Sequence, residues 1–165
     1  MRIYAIESHY AISAIGVGIS AVTKQPFQHT AILSLEDGKL WRYESLVGLG
    51  FVRREWTERK DIVETWFSVN EEEHALGLAW LRRAVGTKYP NPWYLAAEYV
   101  FPPLRDMRRR LYCSLAAMRF LESMRLWRHD PSSKRFPKPH PGVPFLVAET
   151  LAIFRPCGNL LPERT

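Results

Sequence analysis

The stretch that most constrains this chain is Glu36, Asp37, Gly38, Lys39, an Asp-Gly pair set between two runs of strand character. Asp-Gly suits the central positions of a two-residue hairpin turn, where the backbone needs positive φ. Upstream lies Phe27, Gln28, His29, Thr30, Ala31, Ile32, Leu33, Ser34, Leu35; downstream lies Leu40, Trp41, Arg42, Tyr43, Glu44. A two-residue turn then dictates the pairing: Glu36 faces Lys39, Leu33 faces Arg42, and Ala31 faces Glu44. His29 falls one diagonal step from Glu44 with both side chains on one face, where long side chains reach each other. A three-residue loop would send the two to opposite faces. Taken alone, the pair reads as an ordinary strand histidine and a solvated carboxylate beside Arg42.

A second feature changes that reading. From Leu111 the sequence turns apolar, and Cys113, Ala117, Phe120, Met124 and Trp127 recur at intervals of three and four, which predicts a helix packed on one side as far as Trp127. A thiol in the first turn of a helix sits at the positive end of the macrodipole, which favours thiolate. A lone buried cysteine is more often a small core hydrophobe. His29 and Glu44 upstream supply what a cysteine nucleophile needs, an imidazole to move the proton and a polar group to hold it. The reading is Cys113 as nucleophile, His29 as acid and base, and Glu44 as the residue that orients His29. The Cys113 backbone amide offers one oxyanion donor.

The remaining elements follow from pattern and punctuation. Arg2 to Ile6 alternates as a short strand, and Ser8 is placed to cap a small-residue helix from about Tyr10 to Val22. Phe51 to Trp56 and Asp61 to Val69 read as strands. Asn70 caps a helix with Glu71 to Glu73 at its start, Arg82 and Arg83 at its end, and Gly86 to stop it. Leu76, Trp80 and Leu81 should face the sheet, with His74 exposed. Trp93 to Phe101 suggests a short helix before Pro102 and Pro103. The proline-rich run 129–144 reads as an exposed connection or lid, and Phe145 to Phe154 as a helix or closing strand. His140 and Cys157 read as incidental. The expected class is α+β, an antiparallel sheet packed against helices, in one domain over 1–165.

Composition narrows the function. The net charge is +6, with basic clusters at Arg53 and Arg54, Arg82 and Arg83, and Arg105 to Arg110. An anionic partner would suit that balance, although solvated basic faces are the commoner reason for one. No nucleic-acid motif accompanies the arginines. Two cysteines without a secretory pattern suggest a reduced, cytoplasmic protein. The run Tyr10 to Val22 follows Glu7 and His9, lacks a preceding basic cluster, and is too short to span a bilayer. No metal-ligand spacing, phosphate loop or dinucleotide fingerprint occurs, so neither a metal nor a cofactor is expected.

The order of these residues resembles the circularly permuted papain-like hydrolases of the NlpC type, especially the YiiX-like branch. The likeness rests on Gln28 to Ile32 as the histidine strand, Asp37 and Gly38 as its turn, and Glu44 on the partner strand. Gly86 to Tyr89 would be the glycine and tyrosine loop, and Tyr112, Cys113, Ser114 the nucleophile. It spans roughly Met1 to Leu126. Leu115 stands where the family often has a polar residue, and Pro90 where an aspartate is common, which implies a divergent pocket. The resemblance implies a thiol hydrolase acting on an amide: a peptide, a peptidoglycan stem or an isopeptide bond. The alternatives are a lipid acyltransferase or esterase of the same fold, similar to the lecithin retinol acyltransferase group, and a non-catalytic module that holds an acidic partner on its basic surface.

Overall fold

The turn at Asp37 and Gly38 forms as its residue types require: φ is 50° at Asp37 and 76° at Gly38, a primed turn whose twist matches its flanking strands. The computed structural model of the chain describes residues 2–10, 26–90, 111–128 and 142–157. Around the hairpin of β2 (Phe27–Glu36) and β3 (Lys39–Leu46) stand β1 (Arg2–Tyr10), β4 (Gly50–Glu55) and β5 (Ile62–Val69). They form one antiparallel sheet in the order β4-β3-β2-β1-β5. The β2–β3 register is the expected one, with Ala31 opposite Glu44, Leu33 opposite Arg42 and Glu36 opposite Lys39.

Helices α1 (Glu71–Ala84), α2 (Cys113–Ser123) and α3 (Gly142–Phe154) complete the described elements, so the fold is α+β. Strand side chains alternate between faces, and the core joins Tyr4, Ile6, Ile32, Tyr43, Phe51 and Phe67 from one sheet face to Leu81, Ala117, Phe120, Leu121 and Ala148 from the helices. Asn70 starts α1 through a full capping box, its Oδ1 accepting from the Glu73 N–H at 2.8 Å while Glu73 accepts from the Asn70 N–H. Gly77 lets α1 meet α2 closely: a Cβ there would lie 2.7 Å from Met124 Sδ.

Several expectations need correction. β1 does not stop at Ile6 but runs to Tyr10, because its backbone pairs with β2 and β5 on both sides through His9. Ser8 is therefore a buried strand residue rather than a helix cap, and Tyr10 does not open a helix; the rest of that proposed helix lies outside the described residues. α2 ends at Ser123, short of Trp127, where Arg125 takes a positive φ of 59° that an α-helix cannot continue. His74 is half-buried rather than exposed, its Nδ1 2.8 Å from Tyr4 Oη. Within the proline-rich run, Gly142 to Pro144 already belong to α3, where a proline in the first turn displaces no helical hydrogen bond. Phe145 to Phe154 is helix, not strand. The suggested helix Trp93 to Phe101, the arginines 105–110 and His140 lie outside the described residues.

Candidate active site

The register of the three central strands decides which side chains meet. Glu7 on β1, Ala31 on β2 and Glu44 on β3 form one rung across the sheet; Ala5, Leu33 and Arg42 form the next, and His9 pairs with His29 on the other side. All of these occupy the strand parity opposite to Tyr4, Ile6, Ile32 and Tyr43. The diagonal step places His29 Nε2 3.1 Å from Glu44 Oε2. With Nε2 given to Glu44, Nδ1 is the ring nitrogen left for a second partner.

That partner arrives from α2. Cys113 is the first residue of this helix, after an extended Tyr112 that supplies no side-chain cap. Its approach is held by backbone contacts: the Leu111 N–H donates to Lys88 O at 3.2 Å, and the Ser45 hydroxyl donates to Leu111 O. Lys88 belongs to the glycine and tyrosine loop, and that loop is tied to β4 by Phe51 N–H to Thr87 O at 2.7 Å and Gly86 N–H to Phe51 O at 2.8 Å. The Cys113 thiol consequently sits in hydrogen-bond contact with His29, and the N–H groups of Thr30 and Ser114 also point at its sulfur. The three residues chosen from the sequence, Cys113, His29 and Glu44, are thus brought together.

Charge follows from this packing. Burial favours the uncharged thiol, yet the bond and charge of His29, with the two N–H groups, outweigh it and hold the Cys113 pKa below its ordinary value. Burial likewise favours neutral imidazole, but Cys113 first and Glu44 second raise His29 from 6.5 to about 9. Glu44 is lowered despite its burial, by His29 and then Arg42. Thiolate and imidazolium stabilise each other and titrate as a pair. The His29 side chain remains 19% exposed while that of Glu44 is 3% exposed, so the imidazole is the member of that pair in touch with solvent.

The same sheet face holds three ionisable residues that the sequence reading passed over. Glu7, His9 and Arg42 are each no more than 3% exposed. Arg42 Nη2 lies 2.7 Å from Glu7 Oε1 and 3.3 Å from Glu44 Oε2. His9 Nε2 is 2.6 Å from Glu7 Oε1 and 2.6 Å from Arg42 Nη2, and its ring meets that of His29 edge-on at 5.1 Å. Ala31, the small residue between the two carboxylates, leaves room for the guanidinium to reach across β2. A signal was available: the alternation of Tyr4, Ile6, Ser8 and Tyr10 against Ala5, Glu7 and His9 continues past Ile6. Cys157 is also buried, and burial pushes its thiol up.

No protein-family model matches the sequence, and no curated protein matches it significantly. Among solved structures, the fold is similar to that of the metalloprotein yiiX from Escherichia coli O157:H7, with a TM-score of 0.50 and 12% identity. The match covers 99% of this chain and 86% of that one. At this identity the likeness is one of fold, and it agrees with an α+β, YiiX-like arrangement of sheet and helices. None of the helices among the described residues is long and apolar enough to cross a membrane.

Proposed function

We propose that the protein is a thiol-dependent hydrolase that cleaves an amide bond, in a peptide, a peptidoglycan stem or an isopeptide link, through Cys113, His29 and Glu44. One observation carries this reading: a cysteine at a helix start is hydrogen-bonded to a histidine that an adjacent strand's carboxylate holds, with the thiol pKa lowered and the imidazole raised to about 9. A core cysteine buried for packing alone would be shifted the other way.

The Cys113 thiolate attacks the acyl carbonyl carbon, and the carbonyl π pair moves onto oxygen. The Cys113 backbone N–H, which as the first of the helix has no helical acceptor, serves that oxyanion. As the tetrahedral centre collapses, the C–N bond breaks and His29 gives its proton to the leaving amine. The product is a thioester on Cys113. Neutral His29 then takes a proton from water; the resulting hydroxide attacks the thioester, the C–S bond breaks, and the acid leaves with the ion pair restored. Glu44 keeps the ring oriented and stabilises the imidazolium in both half-reactions.

The structural neighbour is described as a metalloprotein. Among the described residues of this chain, no group of three or more His, Cys, Asp or Glu side chains is arranged to hold a metal ion.

Purified native protein, beside Cys113→Ala, is to be incubated with isolated peptidoglycan, isopeptide-linked protein and acylated lipid. Amine release by the native chain alone supports the amidase reading. Turnover of the lipid alone moves the assignment to an esterase or acyltransferase, and equal product from both proteins overturns it.

A further inference from the structure

Beyond Cys113, His29 and Glu44, the sheet buries a second layer of charge that the mechanism above does not use. Glu7, Arg42 and His9 sit on strands β1 and β3, on the sheet face opposite the apolar core, yet each is buried there rather than solvated. For stability alone such a cluster is a poor choice, because apolar residues of similar volume serve as well or better. Among the described residues the cluster is also incompletely satisfied: Glu7 Oε2 and Arg42 Nε are buried with no hydrogen-bond partner there. An under-satisfied buried network points to a role in the adjoining site.

The geometry defines that role. Glu44 Oε2 is the oxygen that His29 Nε2 approaches at 3.1 Å, and the same oxygen lies 3.3 Å from Arg42 Nη2. Arg42 in turn is closer to Glu7, at 2.7 Å. One cation is therefore divided between two carboxylates, and only one of them touches the imidazole.

Resting on the hydrolase reading, we infer that Arg42 is a positioning residue whose division between Glu7 and Glu44 sets how much negative charge Glu44 presents to His29. Glu7, two strands away from Glu44, then tunes the Cys113–His29 pair without touching either member. Among the described residues, the charged or titratable groups around this relay are Cys113 from α2, Glu44 and Arg42 from β3, and Glu7 and His9 from β1, with Arg54 from β4 acting on Arg42 and Arg59, from the segment before β5, acting on Arg42 and Glu44.

The signs are opposite for the two ends of the relay. Removing the Arg42 cation leaves extra negative charge beside the pair, which disfavours thiolate and favours imidazolium, so both titrations move to higher pH. Neutralising Glu7 leaves Arg42 less compensated, so both move to lower pH. A charge at this range through partly shielded protein shifts a titration by about half a unit to one unit. A residue that served only to hold the sheet together would loosen the site in both variants and move the profile one way.

The test is the pH dependence of Cys113 alkylation by iodoacetamide, with the labelled residue identified by mass spectrometry, in the native chain, Arg42→Gln and Glu7→Gln. The expected result is an upward displacement for Arg42→Gln and a downward one for Glu7→Gln. Displacements of the same sign, or none, overturn the inference. Should circular dichroism show Arg42→Gln unfolded, the near-isosteric Glu7→Gln decides by its direction: downward supports the inference, upward or unmoved overturns it. The native profile tests the hydrolase reading separately, because a rate that rises only in the ordinary thiol range refutes the ion pair whatever the variants do.

Discussion

His29 and Glu44 stand one diagonal step apart on adjacent antiparallel strands, Nε2 to Oε2 at 3.1 Å, and a two-residue turn eight residues beyond His29 puts them there. One residue more in that turn would reverse the parity of β3 against β2 and separate the pair. The chemistry proposed for the site thus depends on the local backbone preference of Asp37 and Gly38.

Cys113→Ala and His29→Ala are expected to remove turnover while leaving the fold intact. The loss in His29→Ala should be at least about 10²-fold, the lower end of what a positioned acid and base contributes. Glu44→Gln retains an acceptor for the His29 N–H but not the charge, so its loss should be smaller and lie mainly in kcat. Cys157→Ser should be nearly silent, because Cys157 lies outside the site. Rates on whichever substrate the native chain turns over check the order; activity in Cys113→Ala at the native level would remove the nucleophile assignment.

The raised pKa of His29 depends on Cys113 before Glu44. In Cys113→Ala the imidazole loses its largest upward influence while its burial persists, so its titration, followed by the NMR shift of the ring Cε1 proton, should fall at least about one unit below that of the native chain. The linkage to stability has two signs. A raised His29 stabilises the fold fully below 6.5, and that contribution fades as pH climbs toward about 9. A lowered Cys113 stabilises above the ordinary thiol value, and that contribution fades as pH falls through its depressed pKa. Where the falling His29 contribution, between 6.5 and about 9, overlaps the rising Cys113 one, the two slopes oppose, so urea midpoints of the native chain should change little in that overlap.

Asn70→Ala should lower stability by about 1 kcal/mol, the usual effect of losing an N-cap acceptor, with activity unchanged, since Asn70 follows Val69, which pairs with Arg2 at one end of β1, while His29 pairs with His9 at the other. Urea denaturation measures the loss, and a stability equal to that of the native chain would mean that water replaces the cap without cost.

The hairpin and α1 were legible because their determinants are local: a turn whose φ values demand Asp-Gly, a cap with its reciprocal Glu73, and apolar positions at one period. Arg42 was not, since its burial depends on Glu7, thirty-five residues upstream, and on Ala31 leaving the path between them open. Glu7 and His9 resemble the polar end of a strand until their partners are in place, and Ser8 resembles a cap for the same reason. The end of α2 was hidden differently. A positive φ is expected at glycine or asparagine, and the residue that adopts it here is Arg125.

The last expectation concerns how Cys113 is held in place. Gly50 opens β4 at a φ of +80°, and a Cβ on it would lie 2.4 Å from Thr87 O, the acceptor for the Phe51 N–H. Thr87 leads to Lys88, Lys88 O binds the Leu111 N–H, and Leu111 lies two residues before Cys113. An alanine at 50 meets a left-handed backbone and a carbonyl it cannot displace cheaply, so the cost should reach about 2 kcal/mol or more. Gly38→Ala is the matched control, since its φ is +76° but nothing lies within 4 Å of the added carbon. Both variants carry the conformational term, and only Gly50→Ala pushes on the loop that holds the nucleophile. Stability should therefore fall further in Gly50→Ala, and the neutral-pH alkylation rate of Cys113 should fall in that variant alone. Equal rates in the two would mean that the Ser45 contact to Leu111 suffices to hold Cys113 against His29 without the loop.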